Sequence, residues 1–145
     1  MKTIKVFCTI LSVVLIFTGC SMSDNASNEI QLTTENASQY LTFELHGYPS
    51  DYNASWDSYS ELTVNGTITG VPGYSYNNVV ITVAVGFKYH GDDYADHNHT
   101  IEASSTLNIG GSGTVSASEY IGGHMSLVES TGYTITSVTG TVTKN

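Results

Sequence analysis

The chain has 145 residues and is acidic, with 13 Asp and Glu against 4 Lys and Arg and a formal net charge of −9. A surface of that sign, with no arginine in the sequence, repels nucleic acid phosphates, so nucleic acid is excluded as a partner. Thr, Ser, Asn and Gly are abundant, ten residues are Tyr, and strong helix formers are few, a composition that suits an all-β domain.

At the start, Lys2 and Lys5 precede an apolar run from Val6 to Phe17, which ends in Phe17-Thr18-Gly19-Cys20. A charged beginning followed by an apolar stretch too short to span a bilayer reads as a secretory signal over residues 1–19. The Gly19-Cys20 end resembles the lipobox of bacterial lipoproteins, with Phe17 standing where that pattern usually has leucine. The resemblance implies cleavage before Cys20 and attachment of diacylglycerol to its thiol. Cys8 lies within the leader, so Cys20 would be the single cysteine left, with no partner for an internal disulfide. Two acyl chains anchor a protein stably where one is marginal. The expected location is the bacterial cell envelope, outside the cytoplasm, with the membrane a partner through the lipid.

Residues 21–28, SMSDNASN, lack periodicity and read with Cys20 as a flexible tether, on the order of 15 Å long as a coil. Taking away residues 1–19 leaves 126 residues in which 13 acids face only Lys88 and Lys144, a balance of −11. That length is one domain, placed over residues 29–145.

Within the domain, residues 29–33 alternate as a short strand, and residues 34–40 suit a helical turn capped by Thr34. Leu41, Phe43 and Leu45 alternate in a strand ending near Gly47-Tyr48-Pro49. Asn65-Gly66 is a strong hairpin signal. A turn there would nevertheless pair every apolar residue with a threonine. One continuous strand puts Leu62, Val64, Gly66, Ile68 and Gly70 on one face, and period two favours it.

Residues 78–89 follow, with Val79, Ile81, Val83, Val85, Phe87 and Tyr89 facing a core. Next comes a strand with Ile101, Ala103, Ser105, Leu107 and Ile109 inward. Short strands are expected over 114–117 and 124–129. A last strand over 133–143 changes phase, which a bulge near Ser137 would repair. Seven or eight strands with turns between them predict a single antiparallel β-sandwich, immunoglobulin- or fibronectin-like, with a small barrel as the alternative. The strand order, the Leu32-Thr33 start and the closing Val138-Thr139-Gly140-Thr141-Val142 resemble small bacterial surface β-domains, a likeness that carries no residue roles.

Two places carry candidate chemistry. HGDDYADHNH, residues 90–99, sets His97 and His99 on one face of a strand, with Asp92, Asp93 and Asp96 able to complete a zinc or calcium shell. Parity puts His90 on the opposite face. The competing reading of that stretch is a polar hairpin loop over 91–98. GYPSDYNASWDSYS, residues 47–60, carries Tyr48, Tyr52, Trp56 and Tyr59, rings that stack on sugars or anchor protein partners when exposed. No phosphate loop, nucleophile elbow or His-Glu-x-x-His is present, so catalysis is not expected. The expected role is non-catalytic binding or structure at the envelope, with no cofactor required and an envelope protein or glycan as partner. A zinc- or calcium-binding surface lipoprotein and a glycan-binding module are the alternatives.

Overall fold

The structure is a computed structural model that describes residues 28–145. The leader, Cys20 and most of the tether lie outside the described residues. Six strands and one helical turn follow in order: β1 (Glu29–Gln31), α1 (Ala37–Tyr40), β2 (Leu41–Asn53), β3 (Ser58–Gly70), β4 (Tyr74–His90), β5 (Asp96–Thr106) and β6 (Ser112–Lys144). Every pairing is antiparallel, and the strands form one sheet in the order β2-β3-β6-β4-β5, with β1 added to β6.

The fold is all-β, as the composition required, but with six strands where seven or eight were expected. The difference lies after Gly111. The three short strands expected there are one 33-residue element, β6. Its first part pairs with β3 from Ser112 to Tyr120, and its last part pairs with β4 from Ser126 to Lys144. The handover falls between Met125, opposite Tyr59, and Ser126, opposite His90. Gly122 and Gly123 turn the chain there with φ of +72° and +104°, a region open to glycine because it lacks Cβ. Met125, 1% exposed, fills the inside of that corner.

Single-face patterning built the strands as read. β3 runs unbroken through Asn65-Gly66, with Leu62, Val64 and Ile68 buried. β4 buries Val79, Ile81, Val83, Val85 and Phe87, and β5 buries Ile101, Ala103 and Ser105 against them. Thr82 pairs with Ser137 and Val83 with Ile135, so Thr136 is the extra residue of a bulge close to the expected position. Three further register shifts interrupt the same ladder, at Asn77/Val80, Gly86/Phe87 and Lys88/His90. Each bulge adds local twist, which curls β4 and β6 together.

Other expectations are corrected. β2 continues through Pro49 to Asn53, because an edge strand can spare the N–H that proline lacks. Ile109, expected inward, is 80% exposed, since β5 ends at Thr106 and parity stops where pairing stops. The helical turn begins at Ala37 and is tied by Thr33 and Asn36, not Thr34. Thr33 N–H donates to Asn36 Oδ1 at 2.8 Å and Asn36 N–H to Thr33 Oγ1 at 3.3 Å.

The β2–β3 wing lies over the β4 side. Gly47 of β2 faces the Phe87 ring so closely that a Cβ would sit 2.7 Å from Cζ, and the Phe43 and Tyr133 rings approach to 5.5 Å. At one pole, Glu29 pairs with Thr143 and Tyr74 with Lys144, while Tyr76 donates its hydroxyl to the carbonyls of Tyr40 (2.7 Å) and Val71 (3.1 Å). β4 leaves that pole and runs 17 residues, about 50 Å of strand, to the other. Gly47→Ala should therefore overpack a ring that is 1% exposed and cost ~1–3 kcal/mol in urea unfolding, whereas Val80→Thr on the outer face should stay within ~0.5 kcal/mol. Equal stability of Gly47→Ala and wild type would contradict this packing.

Candidate functional site

Three chain segments meet at the pole opposite β1: the β2–β3 turn, the β4–β5 turn and the bend of β6. The β2–β3 turn is short. Trp56 N–H returns to the Asn53 carbonyl at 3.2 Å, Asn53 Oδ1 accepts from Ser55 N–H at 2.9 Å, and Asp57 takes a φ of +48°. Trp56 is thereby held out from the tip, 66% exposed, with its indole stacked on the His124 imidazole at 4.9 Å and 25° between planes. His124 comes from the β6 bend. Its Nδ1 meets Ser58 Oγ at 2.9 Å, and its backbone N–H donates to Asp92 Oδ1 of the β4–β5 turn at 3.1 Å. One residue thus ties together three segments distant in sequence.

Adjoining clefts of about 530, 290 and 260 Å3 open around His124. The largest is walled by Tyr52, Tyr59 and Tyr120, with Asp51 and Ser58 among its polar groups. Tyr52 and Tyr59 are cross-strand partners with rings 5.2 Å apart. The Tyr52 hydroxyl donates to Asp57 Oδ1 at 2.7 Å, and that bond to a carboxylate raises the phenol's pKa above its usual value. Tyr48 lies lower on β2, where its hydroxyl accepts from Asn65 Nδ2 at 2.9 Å, and it does not line these clefts. Of the four aromatic candidates, Tyr52, Trp56 and Tyr59 come together and Tyr48 stands apart.

Backbone strain gathers at the same pole. Asp51, Asp57, Tyr94 and Leu127 hold φ between +48° and +57°, and among described non-glycine residues only Asn78 elsewhere shares that conformation. Such residues cost of order 1–3 kcal/mol each, and they cluster where a shape is needed for function.

The 90–99 stretch is a hairpin, with Gly91–Ala95 as its turn and Asp96 already in β5. His97 and His99 share the face of Ile101, as parity required, but each takes a different acid. His97 Nε2 lies 2.8 Å from Asp93 Oδ1, and its ring stacks on Tyr89. His99 Nε2 lies 3.1 Å from Glu119 Oε2 of β6, off the direction of a hydrogen bond. Asp96 is held between Lys88 (2.8 Å) and His90 (2.5 Å), and Asp92 serves His124. Among the described residues no three His, Cys, Asp or Glu side chains converge on a point where a metal would sit. The five candidate ligands are divided among four separate contacts.

His124 and Tyr120 were not foreseen. Their partners lie in other strands, Ser58 being 66 residues away, and no local pattern marks them. The Gly122-Gly123 pair was the single available signal of a bend. Compared with protein-family models, with curated proteins and with solved structures, the chain matches none.

His97 beside Asp93 and Lys88 beside Asp96 hold both carboxyls below their ordinary value. A depressed folded pKa stabilises above the unfolded value and is lost as pH falls through the folded one. Asp93→Asn and Asp96→Asn should each flatten the loss of stability below about pH 4, read as thermal midpoint against pH. An acid limb unchanged in both variants would contradict those contacts.

Proposed function

We propose that the chain is a lipid-anchored, non-catalytic binding protein of the bacterial cell envelope that takes a glycan in the aromatic cleft at the pole far from β1. The observation that carries this is Trp56, clamped face to face on His124 yet 66% exposed. An indole fixed on one face and open on the other offers a large apolar plane at little further entropic cost, which suits the C–H face of a sugar ring. Trp56 lines the cleft of about 290 Å3; Tyr52, Tyr59 and Tyr120 wall the larger one beside it, which shares Ser58 and His124 and adds Asp51 and Ser60 as hydrogen-bonding groups.

Several features support the non-catalytic part of this reading. Ser58 and His124 are in contact, but Ser58 is only 3% exposed, and among the described residues no carboxylate hydrogen-bonds the other nitrogen of the imidazole. The anchor is supported by Lys2, Lys5, the apolar run and Gly19-Cys20. The close approach of β2 to Phe87 and Tyr133 supports a sandwich-like folding of the sheet upon itself. With the anchor at the N-terminal side, the length of β4 separates the cleft from the pole where β1 pairs. A partner beyond the membrane surface would reach it there.

Two experiments test the reading. In a glycan array followed by calorimetry, the wild type should bind a defined oligosaccharide and Trp56→Ala should weaken it at least ~10-fold, about 1.4 kcal/mol. Absence of any glycan ligand, or full affinity in Trp56→Ala, would refute the glycan site. In the native cell, Cys20→Ser should move the protein from the membrane pellet to the soluble fraction. An unchanged pellet would refute the lipid anchor.

A further inference from the structure

The cleft of about 290 Å3 lies beside the glycan cleft and shares Trp56's neighbour His124 with it. It is lined by Trp56 and Tyr94, by the carboxylates of Asp57 and Asp92, and by His124 and Ser126. Tyr94 is the most exposed large hydrophobic side chain described, at 91%, and it sits on a positive-φ backbone in the β4–β5 turn. That turn is held by Tyr94 N–H to the Gly91 carbonyl (3.0 Å) and Gly91 N–H to the Ala95 carbonyl (3.2 Å). A tyrosine is a costly choice there: Asn or Gly would make the same turn without strain and without an aromatic ring in water. The ring lines the same cleft as Trp56, and that gives it a use.

Two carboxylates line this opening, and each has an oxygen to spare. Asp57 engages Oδ1 with Tyr52, and Asp92 engages Oδ1 with the His124 backbone. Neither Oδ2 has a hydrogen-bond partner among the described residues. Two aromatic faces add the negative side of their quadrupoles. No lysine or arginine lines the cleft. Lys88 is spent on Asp96 at 2.8 Å, and Lys144 lies at the opposite pole beside Tyr74. A ligand matched to such a lining brings donors and positive charge. An ammonium group carries three donors and no acceptor.

We propose that this cleft is the amine subsite of the glycan site, selecting a sugar with a free, protonated amino group over its N-acetylated counterpart. The inference rests on the glycan reading. The ammonium sits between the Trp56 and Tyr94 rings and is neutralised by Asp57 and Asp92, while the sugar ring extends toward Tyr52 and Tyr120. Acetylation removes the charge, replaces two donors by a carbonyl and a methyl, and leaves both carboxylates unmatched. Acidic sugars are repelled by the same carboxylates and by the acidity of the whole chain.

The test uses the full-length protein in detergent micelles with a glucosamine tetramer and the N-acetylglucosamine tetramer. Affinity is read by calorimetry and by the fluorescence of Trp56, the single tryptophan. The free amine should bind at least ~10-fold tighter, and that preference should shrink between about 0.05 and about 0.5 M salt. Asp57→Asn, which removes one of the two charges and tolerates the positive φ, should lower the ratio by weakening the free amine more than the acetylated tetramer. Tyr94→Gly, which suits the positive φ and cannot fail through backbone strain, should weaken the amine selectively. Equal affinity for the two tetramers, or a preference that survives both variants, overturns the amine subsite and leaves the glycan site standing if Trp56→Ala still weakens binding at least ~10-fold. Failure of both tetramers to bind overturns the amine subsite, and failure across a glycan array overturns the wider reading with it.

Discussion

The fold hangs on one strand serving two partners. β6 gives its first part to β3 and its last part to β4, so the ladder of one wing continues into the ladder of the other through the same backbone. The change of partner requires a corner, and the corner requires residues that accept positive φ, with a buried side chain to fill the angle. Gly122, Gly123 and Leu127 meet the first need and Met125 the second. Without that corner β2 could not lie against Phe87, and the apolar face of β4 would lack the cover that buries it.

The corner also makes the site. Turning β6 at Gly122-Gly123 projects His124 toward the β2–β3 turn, where its ring meets Trp56 and Ser58, and brings its backbone to Asp92. Two hairpin tips that share no pairing are joined through this single residue. The strained residues Asp51, Asp57 and Tyr94 belong to the same assembly, and their cost is carried by the largely apolar buried faces of β3, β4 and β5 behind them. A rigid sheet with a convergent, strained, aromatic end is the usual division of labour between scaffold and binding surface.

Charge fits that geometry. The acids outnumber the bases throughout, and of the two lysines in the domain one is engaged by Asp96 and the other sits at the far pole. The aromatic pole is therefore left with carboxylates and imidazoles. Its histidines are distributed among separate acids, with His97 beside Asp93, His90 beside Asp96 and His99 facing Glu119, so the stretch densest in potential metal ligands is a hairpin braced by these contacts. Those contacts stiffen the turn that presents Tyr94.

Period-two patterning by itself determined the all-β class, the inward faces of β3, β4 and β5, and the continuity of β3 through Asn65-Gly66. Burial of one face is a local constraint that each strand carries in its own residues. The same reasoning located the bulge beside Ser137, because a phase change in the pattern must be absorbed somewhere. It failed where the deciding fact was a partner elsewhere in the chain. Pro49 ended β2 on paper, yet an edge position let the strand continue. Ile109 kept its parity only as far as pairing lasted. Three short segments became one strand because β3 and β4 both claimed it. The site was decided in the same way. The sequence showed that Trp56 and the tyrosines were unusual for a polar turn, and that His97 and His99 shared a face. Only the tertiary structure set His124 under Trp56 and separated the histidines, since stacking and ion pairing between segments tens of residues apart depend on how the sheet bends, and the bend is a property of all its strands together.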